Sequence, residues 1–340
     1  MKILITGGAG FIGGALIRNL LLKTQYKIFN LDKLSYASDL VSIKQIKNSS
    51  DIERYEFFNI DLYNFEKTKE VVDHVKPDKI IHLAAESHVD RSIESPRTFI
   101  NSNIIGTFNL LESARLYFNK LNKNKDNFIF HHVSTDEVFG SLGEDGKFTE
   151  TSRYDPRSPY SASKASSDHL VSSYFHTYGL PTLITNCSNN FGPWQYPEKL
   201  IPVVILKAIN NEAIPLYGNG SNIRDWLYVE DHVEALIQLW NLGKTGETYC
   251  IGGESERSNQ SIVNFICEKL DKKLNKEKSH KELITYVTDR LGHDQRYAIN
   301  PNKMNTQINW QPKYNFEKSL DQTIEWYLKN ISWCNNCLGK

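Results

Sequence analysis

An α/β fold with a doubly wound parallel sheet is the class this sequence predicts, and three observations predict it. The chain opens on a buried-strand pattern, Lys2–Thr6, that runs into glycines at positions 7, 8, 10 and 13 and then into an amphipathic helical stretch reaching about Lys23. A second apolar run, residues 27–31, follows at once and ends in an acidic residue, Asp32. Strand-like runs at 55–60, 79–85, 128–133 and 183–186 then alternate with helical stretches, the pattern of βαβ units and not of hairpins.

With 340 residues the chain can hold one large α/β domain or two joined ones. Lysine plus arginine and aspartate plus glutamate number 40 each, so the net charge is zero and the basic footprint needed for nucleic acid or an anionic membrane is missing. No apolar run approaches the ~20 residues that span a bilayer, and a strand pattern begins at residue 2 in place of a signal peptide. No nucleic acid, no membrane and a cytoplasmic location are therefore expected. Of five cysteines, Cys187, Cys250 and Cys267 lie in apolar stretches, as buried free thiols do. Cys334-x-x-Cys337 is half the ligand set of a zinc site without a second pair, so no metal is expected and the tail reads as reduced and frayed.

Taken in order, Gly7, Gly10 and Gly13 form Gly-x-x-Gly-x-x-Gly between a strand and a helix, where glycines let the backbone approach a pyrophosphate held at the helix N-terminus. Asp32 stands about 20 residues further on, where a carboxylate takes the ribose hydroxyls and disfavours a 2′-phosphate; this selects NAD over NADP. The first part of the chain is thus a Rossmann-type domain, 1–186. Asp61 follows the third strand at the adenine end. The run 79–85 closes on the small residues Ala84 and Ala85, leaving room for a cofactor, and a polar loop, Glu86 to Arg91, comes next. Residues 99–119 have helical periodicity interrupted by Asn103 and Thr107, and Asn103 facing Tyr160 and Lys164 would suit the holding of a water.

The chemistry concentrates between 134 and 164. Tyr160 and Lys164 are four apart at the start of a helix, hence on one face, where the ammonium can favour the phenolate. Such a pair also occurs on exposed helix faces without function. Asp136 and Glu137 are adjacent carboxylates after the strand 128–133; both can reach one ligand only if the strand has given way to a loop, and two carboxylates in different settings can divide acid and base work. From residue 187 onwards, loops rich in Asn, Gly, Pro, Tyr and Trp indicate a smaller C-terminal α/β lobe that covers a substrate, with 225–245 returning to the first domain. Lys199, Arg224, Arg290, His293 and Arg296 lie in these loops. Together they would suit a diphosphate; singly, each reads sooner as a solvated surface charge.

These segments resemble the nucleotide-sugar branch of the extended short-chain dehydrogenase/reductase family and, within it, the dTDP-glucose 4,6-dehydratases. The likeness is carried by residues 7–13, Asp32-Lys33-Leu34-Ser35-Tyr36-Ala37, residues 84–92, Ser134-Thr135-Asp136-Glu137-Val138, residues 160–169, Asn189-Asn190, residues 197–202 and Asp289-Arg290-Leu291-Gly292-His293-Asp294. Related epimerases and decarboxylases lack the adjacent Asp-Glu pair. Phe139 and Leu291 depart from the usual Tyr and Pro.

The resemblance implies that Tyr160, with Thr135 hydrogen-bonding the sugar O4, takes the hydroxyl proton while a hydride leaves C4 for NAD. Glu137 then removes the acidified C5 proton, Asp136 protonates the departing C6 hydroxyl, and the hydride returns to C6. It implies cofactor contacts from Gly7, Gly10, Phe11, Ile12 and Gly13, from Asp32, Lys33, Leu34, Ser35, Asp61 and Leu62, and from Leu83, Ala84, Ala85, Ser87, Ser102, Tyr160, Lys164 and Asn190. For the substrate, a nucleotide sugar with dTDP-glucose foremost, it implies Ser87, Thr135, Asn189, Lys199, Leu200, Pro215, Leu216, Tyr217, Arg224, Asn259, Asp289, Arg290, Leu291, Gly292 and His293. Helices over 99–119 and 159–178 would pair with their copies as a homodimer. The same reaction on UDP-glucose or another nucleotide hexose, and a non-catalytic NAD-sensing protein, remain alternatives at this level.

Overall fold

The computed structural model describes residues 1–46, 52–121 and 125–339. Six parallel strands come first: β1 (Lys2–Thr6), β2 (Lys27–Asp32), β3 (Tyr55–Asn59), β4 (Lys79–His82), β5 (Ile129–Thr135) and β6 (Thr182–Cys187). The short strands β7 (Asn189–Phe191), β8 (Ile214–Tyr217) and β9 (Ile223–Tyr228) intervene before β10 (Thr248–Ile251) rejoins the sheet, whose order is β10-β6-β5-β4-β1-β2-β3 with every pair parallel. Strand order reverses between β1 and β4, and a ligand crevice opens at that switch point.

Helices cover both faces, so the central strands carry apolar residues without alternation: Ile3, Leu4 and Ile5 are all fully buried. On one face Ile3 and Ile5 meet Leu16 and Leu20 of α1 (Phe11–Lys23). On the other, Leu4 and Ile80 meet Val72 of α2 (Phe65–Val75), Leu110 of α3 (Gly106–Asn119) and Val171 of α4 (Pro159–Tyr178). The smaller lobe buries Val204 and Ile205 of α5 (Leu200–Ile209). The next helix, α6 (Val229–Leu242), instead places Leu236 and Leu239 in the first core, against α1. The lobe core is completed by Val263 and Ile266 of α7 (Asn259–Leu274) and by Leu320 and Ile324 of α8 (Phe316–Lys329).

The return to the first domain extends beyond 225–245, because β10 pairs with β6 and Met304, Ile308 and Trp310 pack in the same core as α6. In the lobe, β9 lies between β7, parallel to it, and β11 (Glu256–Ser258), antiparallel; β8 pairs in parallel with β12 (Ile284–Val287).

Three elements differ from the sequence expectation. The periodic stretch 99–119 is interrupted by a π-helical turn, Ile100–Ile105, before α3 begins. The strand expected over 128–133 starts at Ile129 and runs on to Thr135, and Asp136–Phe139 is a single 3-10 turn. The tail is not frayed: Ile331–Cys337 is helical and Cys334 is buried, because Trp333 packs edge-on against Trp194 and Trp326. Among the described residues no cluster suited to a metal occurs, and no helix is long and apolar enough to cross a membrane.

Candidate active site

A cleft of about 300 Å³ follows the carboxyl ends of the large sheet from the glycine turn to the start of α4. At one end the backbone is approachable only because side chains are missing. A Cβ on Gly7, whose φ is +72°, would lie 2.6 Å from the Ala84 nitrogen, and one on Gly13 would lie 2.3 Å from the Gly7 carbonyl oxygen. Gly10, at the N-cap of α1, offers no side-chain acceptor, so the first-turn N–H groups are free to meet an anion. Phe11 and Ile12 complete this end of the lining.

Asp32 is held by N–H donors from Ala9 (3.0 Å) and Leu34 (2.9 Å), which oppose the upward pull of burial on its pKa. Lys33, next to it, is 3.1 Å from Glu86 and 3.8 Å from Asp61, so its ammonium is already committed to carboxylates and does not offer itself to a 2′-phosphate. Ser35, Asp61 and Leu62 flank this end, and Leu83, Ala84, Ala85, Ser87 and Ser102 line the middle. Among the expected cofactor contacts, Leu34 alone is absent from the lining; its φ of +54° leaves it facing solvent. The glycine cradle, the open helix terminus and the acidic residue together fit a dinucleotide with free ribose hydroxyls.

At the other end, the 3-10 turn after β5 brings Asp136 and Glu137 to the same cleft as Tyr160, Lys164 and Asn190. Thr135 donates to Asp136 Oδ1 (3.3 Å) and accepts from the Glu137 N–H (3.3 Å). Burial, reinforced by Glu137 and Asp225, pushes the Asp136 carboxyl well above the usual range. Glu137 is also raised by burial, but Arg224, Lys199 and Arg290 all pull it back. The Tyr160 phenol is pushed well up by burial and then by Glu137, with a hydrogen bond involving Thr135 acting the other way.

Lys164 departs from expectation. Its ammonium donates to the Val133 carbonyl (2.9 Å) and lies 3.5 Å from His132 Nε2, and it is not among the groups that lower Tyr160. Helical spacing puts the two side chains on one face and both line the cleft, but the lysine ammonium is bonded to the Val133 carbonyl of β5. Asn103 departs too: its side chain accepts from the Glu86 N–H (2.8 Å) and donates to the Glu86 carbonyl (3.0 Å) and to Ser163 (2.8 Å), so it pins a loop and is not left to hold a water.

The lobe contributes cations. Lys199, Arg224 and Arg290 all act on Glu137, and Arg224 and Arg290 both act on His293. Lys199 donates to the Ser87 carbonyl (2.9 Å), Arg224 to the Asp294 carbonyl (3.0 Å), and Arg290 forms a two-bond pair with Asp90 (2.5 and 2.9 Å). Asn189 lines the cleft beside Lys199. Pro215 and Tyr217 are exposed on β8, with the Tyr217 ring 6.2 Å from that of His293; the 289–293 loop leaves the adjacent strand β12. His293 itself is held by Asp289 (2.6 Å), and Asn259 begins α7, with its N–H bonded to Asn222.

Four residues named for this region stand apart from the others. Leu216 alternates inward on β8 and is buried in the lobe core, and Leu200 packs against that core. Leu291 is 78 % exposed, beside Gly292. Arg296 is taken up by Glu256 (2.8 Å) and the Gly146 carbonyl (3.0 Å). Sequence reasoning missed Asp225, buried near Asp136 and accepting N–H bonds from Gly253 and Ser255, and Glu198, which lines the cleft and accepts from Tyr36 (3.0 Å). The Pro-Glu-Lys run around Glu198 was the available signal; Asp225 gave none.

A dinucleotide cleft that ends in a buried tyrosine, a lysine and paired carboxylates defines a nucleotide-sugar enzyme of the short-chain dehydrogenase/reductase class. The profile of the GDP-mannose 4,6 dehydratase family matches residues 4–323. The chain is 52 % identical over 346 aligned residues to a dTDP-glucose 4,6-dehydratase of Shigella flexneri, covering 99 % of this chain and 95 % of that one, and 50 % identical to one of Neisseria meningitidis, covering 99 % and 96 %. Its fold matches the crystal structure of the Bacillus anthracis dTDP-glucose 4,6-dehydratase in complex with NAD, at a TM-score of 0.87, 42 % identity and 99 % coverage of both chains. The Streptomyces venezuelae dTDP-glucose 4,6-dehydratase, also solved with NAD, matches at a TM-score of 0.89 and 35 % identity over 99 % of this chain and 100 % of that one. The chain belongs to the dTDP-glucose 4,6-dehydratase family.

Proposed function

We propose that this protein converts dTDP-glucose to dTDP-4-keto-6-deoxyglucose, with NAD as its resident cofactor. The carrying observation is the pair Asp136 and Glu137, set by one 3-10 turn against Thr135 and Tyr160 inside the dinucleotide cleft. NAD, when bound, accepts a hydride from C4 and returns it at C6. Burial holds Tyr160 as the neutral phenol; it acts on O4 as the phenolate, a form that the positive nicotinamide ring of the bound cofactor would favour. As such it takes the O4 proton, with Thr135 orienting that oxygen. The resulting C4 ketone acidifies the C5 proton. Glu137, raised by burial yet restrained by three cations, is the base for that proton; Asp136, held well above the usual carboxylate range, carries the proton that the C6 hydroxyl needs to leave as water. Lys199, Arg224, Arg290 and His293 hold the diphosphate, with Asn189, Tyr217 and Asn259 towards the nucleoside.

A homodimer through the outer faces of α3 and α4 and a cytoplasmic setting complete the reading. Four of the five free cysteines are buried, in keeping with a reducing compartment.

The test offers purified protein dTDP-glucose and UDP-glucose side by side in deuterated water. Loss of water with deuterium at C5, fastest on dTDP-glucose, is the expected result; a product that keeps its 6-hydroxyl would make the protein an epimerase instead. Glu137→Gln should abolish C5 exchange, whereas Asp136→Asn should keep exchange and slow water loss by at least ~10²-fold. The reverse pattern would exchange the two roles.

A further inference from the structure

The loop after β2 passes between the glycine turn and the carboxyl-terminal helix, and Asp39 touches both. Its N–H donates to the Ala9 carbonyl (3.0 Å), within the glycine turn, while its carboxylate accepts from Trp333 Nε1 (2.7 Å) at Oδ2 and from the Val41 N–H (2.8 Å) at Oδ1. Trp333 is fixed in turn by Trp194 and Trp326, with ring centroids 5.1 and 5.3 Å away. The same terminal helix holds the opposite flank of the cleft, where Tyr196, a lining residue, donates to the Cys337 carbonyl (2.7 Å) and meets Tyr36 edge-on at 5.8 Å.

Resting on the NAD reading of the cleft, we propose that Asp39 and Trp333 are positioning residues for the cofactor. Their hydrogen bond ties the Ala9 backbone to the far end of the chain and keeps the dinucleotide from leaving between turnovers. Two facts make this more than surface packing. The donor is an indole N–H and the acceptor a carboxylate, a charge-assisted pair that is only half-buried, and it ends one residue from Gly10, at the N-cap of the helix that receives the pyrophosphate. A reaction that takes a hydride and gives it back within one turnover profits from a cofactor that stays.

Purified enzyme is exchanged into 1,N6-etheno-NAD and chased with unlabelled NAD while fluorescence follows release. Trp333→Phe keeps the ring packing and removes the donor; release should quicken by roughly tenfold or more, as for a lost bond to a charged group. The apparent KM for added NAD should rise while kcat at saturating NAD holds. Asp39→Ala should quicken release at least as much, and the double variant should release no faster than Asp39→Ala alone, because both act through one bond. Ser332→Ala, exposed on the same helix, should release at the wild-type rate. Unchanged release in both single variants, or additive effects in the double, would overturn the proposal. A wild-type protein that carries no NAD as purified and takes up no etheno-NAD would overturn the NAD reading itself.

Discussion

Glu137 is pulled two ways: burial raises its pKa, and Arg224, Lys199 and Arg290 lower it. Arg290 is the one of the three that can be changed with least harm to the fold, because its partners are the Asp90 carboxylate and the Tyr217 ring, whereas Arg224 bonds backbone carbonyls. In Arg290→Gln one lowering charge is gone, so the pKa of Glu137 rises. The ionised base then exists only at higher pH, and the acid limb of the kcat/KM profile should move upward. A limb that stays put, with only KM for the nucleotide sugar raised, would mean that Arg290 serves binding alone. The identities of Tyr160, Lys164, Asp136 and Glu137 were legible in the sequence because spacing and adjacency decide which groups share a face or a turn. Which partner each group meets was not legible. Lys164 reaches the Val133 carbonyl because α4 lies against the end of β5, a matter of packing depth that no helical period encodes.

At the level of elements, the π-helical turn Ile100–Ile105 determines where Asn103 points. One extra residue in the turn rotates the following helix, and the amide of a fully buried Asn103 meets both the N–H and the carbonyl of Glu86 as well as Ser163 on α4. Asn103→Ala takes from the Glu86 N–H and carbonyl the partners they have here, while the Ser163 hydroxyl keeps its bond to the Tyr160 carbonyl. Unfolding free energy in urea should fall by about 1–3 kcal/mol, and hydrogen exchange should quicken at Glu86 in particular. Wild-type exchange at Glu86 would show that the loop is held by other contacts. Periodicity located this helix but could not show the turn, since a π turn changes the hydrogen-bond register without altering the composition. The parallel strands were legible for the opposite reason: both faces are covered, so apolar runs such as Ile3-Leu4-Ile5 have no alternative place. Short lobe strands such as β7 and β11, three residues each, fall below what pattern can detect.

On the scale of the whole molecule, the chain crosses between its two parts several times, with α6 and β10 in the large core and α7 and α8 in the small one. The residues that line the cleft come from positions 7 to 199, so the later crossings join the two cores without entering that lining. Exposed apolar side chains remain around α3 and α4: Ile100 and Ile105 in the π-helical turn, Phe108 in the first turn of α3 and Tyr178 at the end of α4 are between 36 % and 49 % exposed. Their rim is polar, where Arg115 pairs with Glu112 (2.8 Å) and stacks on Tyr178 (4.9 Å). An apolar centre with a charged rim is the anatomy of an interface, and a two-fold axis would set each patch against its own copy. The protein should therefore sediment as a dimer at micromolar concentration. Ile105→Glu with Phe108→Glu places like charges across the axis four at a time and should weaken association by at least ~10²-fold, giving a folded monomer with unchanged far-ultraviolet circular dichroism. A wild-type protein that sediments as a monomer, or a double variant that remains dimeric, would mean that this face serves some other contact.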